Sequence, residues 1–302
     1  MKTIGITGIS GFIGSHFADL CLERGHKVIG LERRKSANPD YLVSKPFSNL
    51  EIVYGDIKDA EVVNYFVGLC DGVINLAGLL GTSEQVSTPH DSVDANIKGA
   101  INFYEAIRRH KLPAVQITVG NYTWFNTYAI TKYCAERFAI MYNQEFGTKI
   151  AVVRGLNVYG PMQKHKPVRK VVPNFIRNAL LNEPITVFGD GGQQLDLIYV
   201  RDTVELLYKA LINNHKCFNN VMEAGSGQPV TCLALAEEII KLSGSQSKIQ
   251  FMPMRSGEPV NSITKADVYT LEPLGKFEFT GLGEGLKKTI DWYKENKGCL
   301  GI

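Results

Sequence analysis

Residues 2–14 read KTIGITGISGFIG and decide the fold. Lys2–Thr7 predicts a short buried strand, and Phe12–Arg24 carries apolar residues at helical spacing as far as Gly25. The turn between them must be tight and must let a pyrophosphate approach the backbone, close to the free N–H groups of the helix N-terminus. Glycine suits both demands, so the stretch predicts a dinucleotide-binding turn built on Gly8, Gly11 and Gly14.

Strands and helices alternate through the first half of the chain. After the glycine turn, the predicted strands are Lys27–Glu32, Leu50–Tyr54, Gly72–Asn75, Ala114–Thr118 and Lys149–Leu156, and the predicted helices are Asp59–Leu69, Asp91–Arg109 and Thr127–Phe146. This order predicts an α/β fold, a doubly wound parallel sheet of Rossmann type with helices on both faces.

The alternation loosens after Pro161. Helices are predicted at Val171–Leu181, Thr203–Ile212, Leu233–Leu242 and Gly283–Asn296, and strands at Ile185–Phe188 and Asp196–Val200. We expect residues 1–160 to form the dinucleotide-binding domain, to which a segment at about 190–215 returns. Residues 161–302 then build mainly a smaller mixed α/β substrate-binding domain, with the ligand in the cleft between the two.

The composition excludes several classes of protein. The 302 residues carry a net charge of +3, without the basic excess of a nucleic-acid or membrane-surface binder. No apolar stretch is long enough to span a bilayer, and the first residues do not resemble a signal peptide. The six cysteines form no C-x-x-C pair and no zinc spacing. We expect a cytoplasmic protein with reduced thiols and no metal.

Glu32 ends the second predicted strand. A carboxylate there accepts both ribose hydroxyls of NAD and repels the 2′-phosphate of NADP. The next residues are Arg33, Arg34 and Lys35, which either bind that phosphate or form a solvated basic loop. The carboxylate favours NAD as the cofactor, and NADP stays open.

Motifs along the whole chain resemble those of one family. They are the glycine turn, Gly55-Asp56-Ile57, Asn75-Leu76-Ala77-Gly78, Asn96-Ile97-Lys98-Gly99, Tyr128-Ala129-Ile130-Thr131-Lys132, Arg154–Pro161, Phe188–Asp202 and Arg255-Ser256-Gly257-Glu258. In this order they resemble the extended short-chain dehydrogenase/reductase family, in its branch of NAD-dependent nucleotide-sugar epimerases and dehydratases of UDP-glucose 4-epimerase type. Beside the glycines, Glu32 and Arg33, the resemblance implies cofactor contacts from Phe12, Ile13, Asp56, Ile57, Leu76, Ala77, Gly78 and Asn96.

Tyr128 and Lys132 lie four residues apart and share one face of a helix. A free tyrosine has a pKa of about 10, and a nearby ammonium favours its phenolate. We expect Tyr128 to take a proton from a sugar hydroxyl while a hydride passes to the nicotinamide. The resemblance implies that Lys132 also holds the nicotinamide ribose. An ordinary surface Tyr/Lys pair is the alternative.

The hydroxyl partner of Tyr128 is harder to assign because the loop before it is short. In the family a Ser or Thr ends the fifth strand, and that position falls here on Gly120. Thr118 lies two residues earlier, so it points to the same side of the strand and is our candidate catalytic hydroxyl. A purely structural threonine is the alternative, and the possible substitutes are Asn121, Thr123 and Thr127.

The same segment bears on the reaction. No Asp or Glu lies between Val115 and Cys134. The family's 4,6-dehydratases and decarboxylases carry an acidic residue just after the hydroxyl, whereas a 4-epimerase or 4-ketoreductase needs none. The sequence therefore favours epimerisation over ketoreduction and both over dehydration, although Glu84 or His90 could supply the missing acid.

The resemblance implies a nucleotide-diphosphate sugar as substrate, whose diphosphate needs cations. Arg255 and Asn157 match family substrate contacts, and Asn121 is a further candidate. A second family arginine is replaced by Leu195. The cations that could compensate are Lys164, Lys166, Arg169 and Lys170, unless they merely solvate a loop.

Two further expectations concern class and assembly. A non-catalytic dinucleotide sensor or scaffold on the same fold is the alternative to an enzyme, and the intact Tyr128/Lys132 pair speaks against it. The resemblance also implies a homodimer through Asp91–Arg109 and Thr127–Phe146. The apolar residues of these helices would equally suit burial in a monomer.

Overall fold

The computed structural model describes residues 1–33 and 48–302. Its largest sheet has seven strands, all paired in parallel. They are β1 (Thr3–Thr7), β2 (Lys27–Glu32), β3 (Leu50–Tyr54), β4 (Gly72–Asn75), β5 (Pro113–Val119), β6 (Lys149–Gly155) and β11 (Val221–Ala224). Their spatial order is β11-β6-β5-β4-β1-β2-β3, which reverses direction between β1 and β4. Ligands of doubly wound sheets bind at that reversal, outside the carboxyl ends of the strands.

Helices cover both faces of this sheet. The described helices of this part are α1 (Phe12–Glu23), α2 (Ala60–Gly68), α3 (Pro89–Ser92), α4 (Gly99–His110), α5 (Thr127–Phe146) and α7 (Val200–Ile212), whereas α6 (Val171–Leu181) packs against the smaller part of the structure. One hydrophobic core joins α1 and α7 to the sheet, and a second joins α2, α4 and α5 to its other face. The predicted doubly wound Rossmann-type fold is confirmed.

Short strands and further helices build the rest of the chain. β7 (Asn157–Tyr159) pairs with β10 (Leu197–Tyr199), and β8 (Ile185–Phe188) pairs with β13 (Ile249–Met252). β9 (Gln194–Leu195) lies between β12 (Val230–Thr231) and β14 (Ile263–Thr264). The accompanying helices are α8 (Asn214–Cys217), α9 (Cys232–Ser243) and α10 (Leu282–Glu295), with 3-10 turns at Val268–Leu274 and Lys297–Leu300. This is the smaller mixed α/β portion that the sequence predicts.

Besides short strands that were not predicted, namely β7, β9, β12, β13 and β14, three segments differ from the predicted secondary structure. The predicted helix Asp91–Arg109 is interrupted by a π-helical stretch, Val93–Lys98, in which the wider turn carries the buried Asn96. The predicted strand Asp196–Val200 is shorter, because helix α7 already begins at Val200. Strand β11 was not predicted, since four residues beside two asparagines give too short a pattern.

Candidate active site

The glycine turn leaves no room for side chains. Gly8 has a φ of +66°, and a Cβ on Gly14 would lie 2.3 Å from the carbonyl oxygen of Gly8. Gly11 caps α1 and has no side chain that could occupy the first N–H groups of the helix, whose residues Phe12, Ile13 and Gly14 line the cavity. These backbone groups fit a pyrophosphate, which needs close approach and unpaired donors.

Glu32 is buried beside this turn at the end of β2. Its Oε2 accepts a hydrogen bond of 3.0 Å from the backbone N–H of Ser10, and its Oε1 accepts one of 2.9 Å from the N–H of Arg33. The carboxylate is therefore fixed at the predicted ribose position. Arg34 and Lys35, the other residues of the basic loop, lie outside the described residues.

A buried polar network joins the carboxyl ends of three neighbouring strands. Thr7 donates to the Oδ1 of Asn75 at 2.6 Å, and Asn75 donates to the Oε1 of Gln116 at 2.8 Å. The Thr7 hydroxyl also accepts from the backbone N–H groups of Leu76 and Ala77. This network aligns the Leu76–Gly78 segment along the cavity. Neither Thr7 nor Gln116 was predicted as a site residue, although a polar residue inside or at the end of an apolar strand is a usable signal.

Asn96 connects that segment to helix α5. Its side chain accepts from the N–H of Leu79 at 2.8 Å, and it donates to the carbonyl of Leu79 and to the hydroxyl of Thr131. Gly78 lies against this contact, because a Cβ there would come within 2.8 Å of the Asn96 oxygen and 3.8 Å of Lys132 Nζ. Asn96 thus holds the walls of the cavity together.

The segment after β3 forms another wall of the same cavity. Asp56 accepts a hydrogen bond from the N–H of Lys58 at 3.0 Å. Ile57 is buried against Gly99, at the start of α4. Both line the cavity, beside Gly55 and Leu31.

Tyr128 and Lys132 lie on the first turns of α5 and line the cavity together. Asn126 starts this helix by accepting from the N–H of Ala129 at 2.9 Å. Burial raises the pKa of Tyr128 and lowers the pKa of Lys132 to about 8. Burial thus disfavours the charged form of each group, so a phenolate needs additional positive charge in the site.

Thr118 faces helix α5 and forms a hydrogen bond to a buried ion pair, Glu136–Arg154. Its hydroxyl donates to Oε2 of Glu136 at 3.0 Å. Arg154 donates to both oxygens of the same carboxylate, at 2.9 Å and 2.6 Å, and also to Glu223 at 3.0 Å. The proton of Thr118 therefore points towards an anion, and its lone pairs are what it offers to a ligand.

The loop after β5 brings two further residues to the cavity, Asn121 and Trp124. The N–H of Trp124 donates to the carbonyl of Asn121 at 3.0 Å, which closes a tight turn. Gly120 packs against Leu156, and a Cβ at that position would lie 2.6 Å from Leu156 Cγ. The Trp124 side chain thus belongs to a residue that forms part of the pocket wall.

Asn157 and Asp196 organise the substrate side. The Asn157 amide donates to the carbonyl of Asp196 at 3.1 Å and to the hydroxyl of Thr264 at 3.0 Å. The fully buried carboxylate of Asp196 accepts from the backbone N–H groups of Ser226, Gly227 and Ala266. Within residues 1–33 and 48–302, the side-chain carbonyl oxygen of Asn157 accepts no hydrogen bond, and Asn157 lines the cavity. The anchoring role of Asp196 was not predicted from the sequence.

The candidate phosphate-binding cations lie at the opposite rim. Arg255 forms a two-point ion pair with Glu258, which also accepts from Thr82 at 2.8 Å. Arg169 and Lys170 line the cavity beside Arg255, and burial lowers the pKa of Lys170. These three cations line the same cavity as Leu195, which stands where the sequence comparison with the family's motifs expects an arginine.

One cavity of about 2450 Å³ extends from the glycine turn past Tyr128 and Lys132 to the candidate phosphate-binding cations. It brings together nearly every predicted site residue: Gly8, Gly11, Phe12, Ile13, Gly14, Glu32, Arg33, Asp56, Ile57, Leu76, Ala77, Gly78, Thr118, Asn121, Tyr128, Lys132, Asn157, Arg169 and Arg255. Asn96 lies behind the wall and acts through Leu79 and Thr131. Within residues 1–33 and 48–302, no cluster of metal-ligating side chains occurs, and no helix has the length and apolarity to cross a bilayer.

Known proteins share this architecture from end to end. A UDP-N-acetyl-alpha-D-glucosaminuronate decarboxylase of Bacillus cytotoxicus is 28% identical, over 96% of this chain and 97% of its own. A putative UDP-glucose 4-epimerase of Methanocaldococcus jannaschii is also 28% identical, over 96% and 98%. The crystal structure of a UDP-glucose 4-epimerase from Thermotoga maritima superposes with a TM-score of 0.89 at 27% identity, over 98% of this chain and 99% of the other.

The family assignment itself comes from residues 4–222, which match the NAD dependent epimerase/dehydratase family. The matched region contains the glycine turn, Glu32 and the Tyr128/Lys132 pair. The extended short-chain dehydrogenase/reductase resemblance read from the motifs is thereby confirmed, and so is NAD as the cofactor. The chain is an enzyme that belongs to the NAD dependent epimerase/dehydratase family.

Proposed function

We propose that this enzyme epimerises a nucleotide-diphosphate sugar at C4. The observation that carries the proposal is the Tyr128/Lys132 pair, which shares a cavity with the glycine turn and ends a segment of the chain without acidic residues. Residues 117–132 contain no Asp or Glu, and the nearest carboxylate along α5, Glu136, is neutralised by Arg154. Without a second acid, the site supports reversible oxidation of one carbinol better than elimination.

The alternative acids from the Leu79–Val93 region do not change this preference. Glu84 accepts a hydrogen bond of 3.0 Å from the N–H of Arg169 and lies 3.8 Å from Arg255. Glu84 is therefore already engaged by a backbone donor and a cation at the rim. His90 is exposed on α3. Ketoreduction is the second candidate because it uses the same Tyr128 chemistry. Decarboxylation or dehydration of such a sugar is the third, because some relatives carry those names.

In the proposed mechanism Tyr128 takes the proton of the C4 hydroxyl as that carbon is oxidised. Lys132 lies one helical turn away, and its charge lowers the energy of the phenolate that burial alone disfavours. NAD, when bound, supplies the hydride acceptor and returns the hydride. After the 4-keto sugar has turned its other face, Tyr128 gives the proton back, so the substrate is neither oxidised nor reduced overall.

We propose that the substrate diphosphate binds to Arg255, Arg169 and Lys170. Arg255 would exchange part of its pairing with Glu258 for a phosphate, which offers the same two-point geometry. Asn157 would accept a substrate hydroxyl or amide with its remaining carbonyl oxygen. Arg169, Lys170 and Arg255 would therefore replace the charge missing at Leu195.

The test combines native mass spectrometry for retained NAD with a panel of UDP-, dTDP- and GDP-sugars, whose products are identified by NMR. We expect one C4 epimer without added NAD and a loss of 100-fold or more in Tyr128→Phe, about the usual contribution of a general acid/base. Tyr65→Phe, on the exposed face of α2, is the matched control. A 4-keto-6-deoxy product would refute epimerisation, and full activity of Tyr128→Phe would refute the mechanism.

We further propose a cytoplasmic homodimer. Ile130 is 48% exposed on α5 and Val93 is 43% exposed on the adjoining π-helical stretch. Cys134, Phe138 and Met141 continue the Ile130 face at helical spacing and are only half-buried. All six cysteines are free thiols, which suits a reducing compartment. Light scattering of Ile130→Glu, with Ile212→Glu as a surface control, tests the dimer: only the first should yield monomers.

We keep the division into a cofactor domain at 1–160 and a substrate domain at 161–302 as a proposal. Helix α7 packs on α1, and β11 extends the main sheet, so both would be returns of the second segment to the first. Limited proteolysis with and without NAD tests the division. We expect cleavage near residue 165 to be slowed by the cofactor.

A further inference from the structure

We ask which residue besides Tyr128 can donate a hydrogen bond to the reacting oxygen of the substrate. The candidates are the side chains at the end of β5 whose protons are not already engaged. This inference rests on the proposed function. A carbonyl oxygen at C4 needs a hydrogen-bond donor besides Tyr128, because charge develops on that oxygen in the transition state. Three positions at the end of the strand are candidates for this donor: 118, 120 and 121.

Thr118 has already committed its proton. The acceptor is Oε2 of Glu136 at 3.0 Å, and that carboxylate is 1% exposed and bound at both oxygens by Arg154. Hydrogen bonds to such anions are about twice as strong as neutral ones. Turning the hydroxyl towards a sugar would break one of them inside the core.

Position 120 cannot carry a side chain in this packing. A Cβ on Gly120 would lie 2.6 Å from Cγ and 2.9 Å from Cδ1 of Leu156. Leu156 occupies that space directly after β6 and is in turn held by a backbone hydrogen bond to Ala224 at 3.1 Å. The loss of a hydroxyl at this position is therefore built into the local packing.

Asn121 is the next residue, and it meets the requirement. It lines the cavity with Tyr128 and Lys132, and its backbone is fixed by the turn to Trp124. Among the residues that the structure describes, its side-chain amide has no hydrogen-bond partner. We propose that the Asn121 amide donates to the reacting C4 oxygen, while Thr118 only supports the strand from behind.

This assignment has a chemical consequence. An amide N–H donates but does not ionise at working pH, so it stabilises charge without moving a proton. Tyr128 then carries the only proton transfer at C4. The amide would bind the 4-keto oxygen more strongly than the ground-state hydroxyl, so it should act on kcat more than on KM.

The experiment measures single-turnover and steady-state epimerisation for Asn121→Ala, Asn121→Asp and Thr118→Val, with NAD retention and folding checked in each. We expect Asn121→Ala to lower kcat about 100-fold, as for an oxyanion-hole donor, with KM within threefold and NAD retained. Asn121→Asp should be equally slow at pH 8 and recover as the pH falls, because a protonated carboxyl regains the donor. A merely structural role would not give that pH profile.

The possible outcomes distinguish failure of the Asn121 assignment from failure of the proposed epimerase function. If the wild type turns over no nucleotide sugar, the proposed function fails. If the wild type is active but Asn121→Ala keeps kcat within threefold, or if Thr118→Val alone loses 100-fold while remaining folded, the Asn121 assignment is overturned. A smaller kcat loss in Thr118→Val than in Asn121→Ala supports it.

Discussion

Replacing Lys132 by Met should make the cofactor-free protein more stable while it removes turnover. The Lys132 side chain is 5% exposed, and desolvation is the cause that lowers its pKa from 10.5 to about 8. A lysine with a lower pKa in the folded than in the unfolded chain opposes folding while it is charged. Met has a similar length and no charge, so the variant removes this cost.

The magnitude follows from the two pKa values. The difference 10.5 − 8 is about 2.5, which corresponds to roughly 3 kcal/mol at about 1.4 kcal/mol per pKa unit. The cost is fully present below pH 8, where both states are protonated. It fades as the pH rises towards 10.5, because the folded chain has then already lost the proton and the unfolded chain is losing it, which leaves about 1 kcal/mol at pH 10.

Urea unfolding of the protein stripped of NAD, at pH 7 and pH 10, measures both points. We expect Lys132→Met to exceed the wild type by about 3 kcal/mol at pH 7 and about 1 kcal/mol at pH 10. Lys149→Met, at an exposed lysine, should stay within about 0.5 kcal/mol. A Lys132→Met variant that is less stable than the wild type at pH 7, or a gain that ignores pH, would refute the reasoning.

Three further predictions follow from the contacts. Gly14→Ala should weaken NAD binding at least 100-fold by titration calorimetry, because its Cβ would lie 2.3 Å from a backbone oxygen; Gly298→Ala, with open space around it, should not. Arg154→Met should lower the free energy of unfolding by about 3–5 kcal/mol, because it leaves Glu136 buried and unpaired, and adding Glu136→Leu should restore most of it. Asp196→Ala should cost about 3 kcal/mol or more, because it leaves several backbone N–H groups unsatisfied.

Each of these has a contrary result. Equal NAD affinity in Gly14→Ala and Gly298→Ala would mean that the turn does not hold the pyrophosphate. A double variant no more stable than Arg154→Met would mean that packing, and not the unpaired charge, explains the loss. A melting temperature of Asp196→Ala within about two degrees of the wild type would mean that water replaces the carboxylate.

The parts of the fold and site that sequence predicts well are those with a local cause. The glycine turn follows from backbone sterics, and the strands β2, β3 and β4 follow from continuous apolar runs between turns. Tyr128 and Lys132 share a face because four residues make about one helical turn. The bounds of β2, β3, β4 and α5 in the structure agree closely with the prediction.

The parts that sequence misses depend on contacts between distant residues. Strand β11 is defined by its pairing with β6, and the π-helical stretch at Val93–Lys98 carries an asparagine that bonds to Leu79 and Thr131. The direction of the Thr118 hydroxyl depends on its contact with Glu136, which is paired with Arg154. The spacing of these residues along the chain does not predict that they are in contact. Local spacing therefore indicates which residues belong to the site. Contacts between distant residues determine which of their polar atoms can still bind a ligand.

The late arrival of β11 has a consequence for making pieces of this protein. Val221 comes 66 residues after Gly155, where β6 ends (221 − 155), yet β11 covers the outer side of β6 along Val152–Gly155. A fragment ending at residue 160 would contain the glycine turn and the Tyr/Lys pair but would leave an apolar strand edge bare, and such edges recruit other chains. A nascent chain meets the same exposure while residues 156–220 are being synthesised. The shortest fragment in which β6 is paired on both sides therefore extends through Ala224.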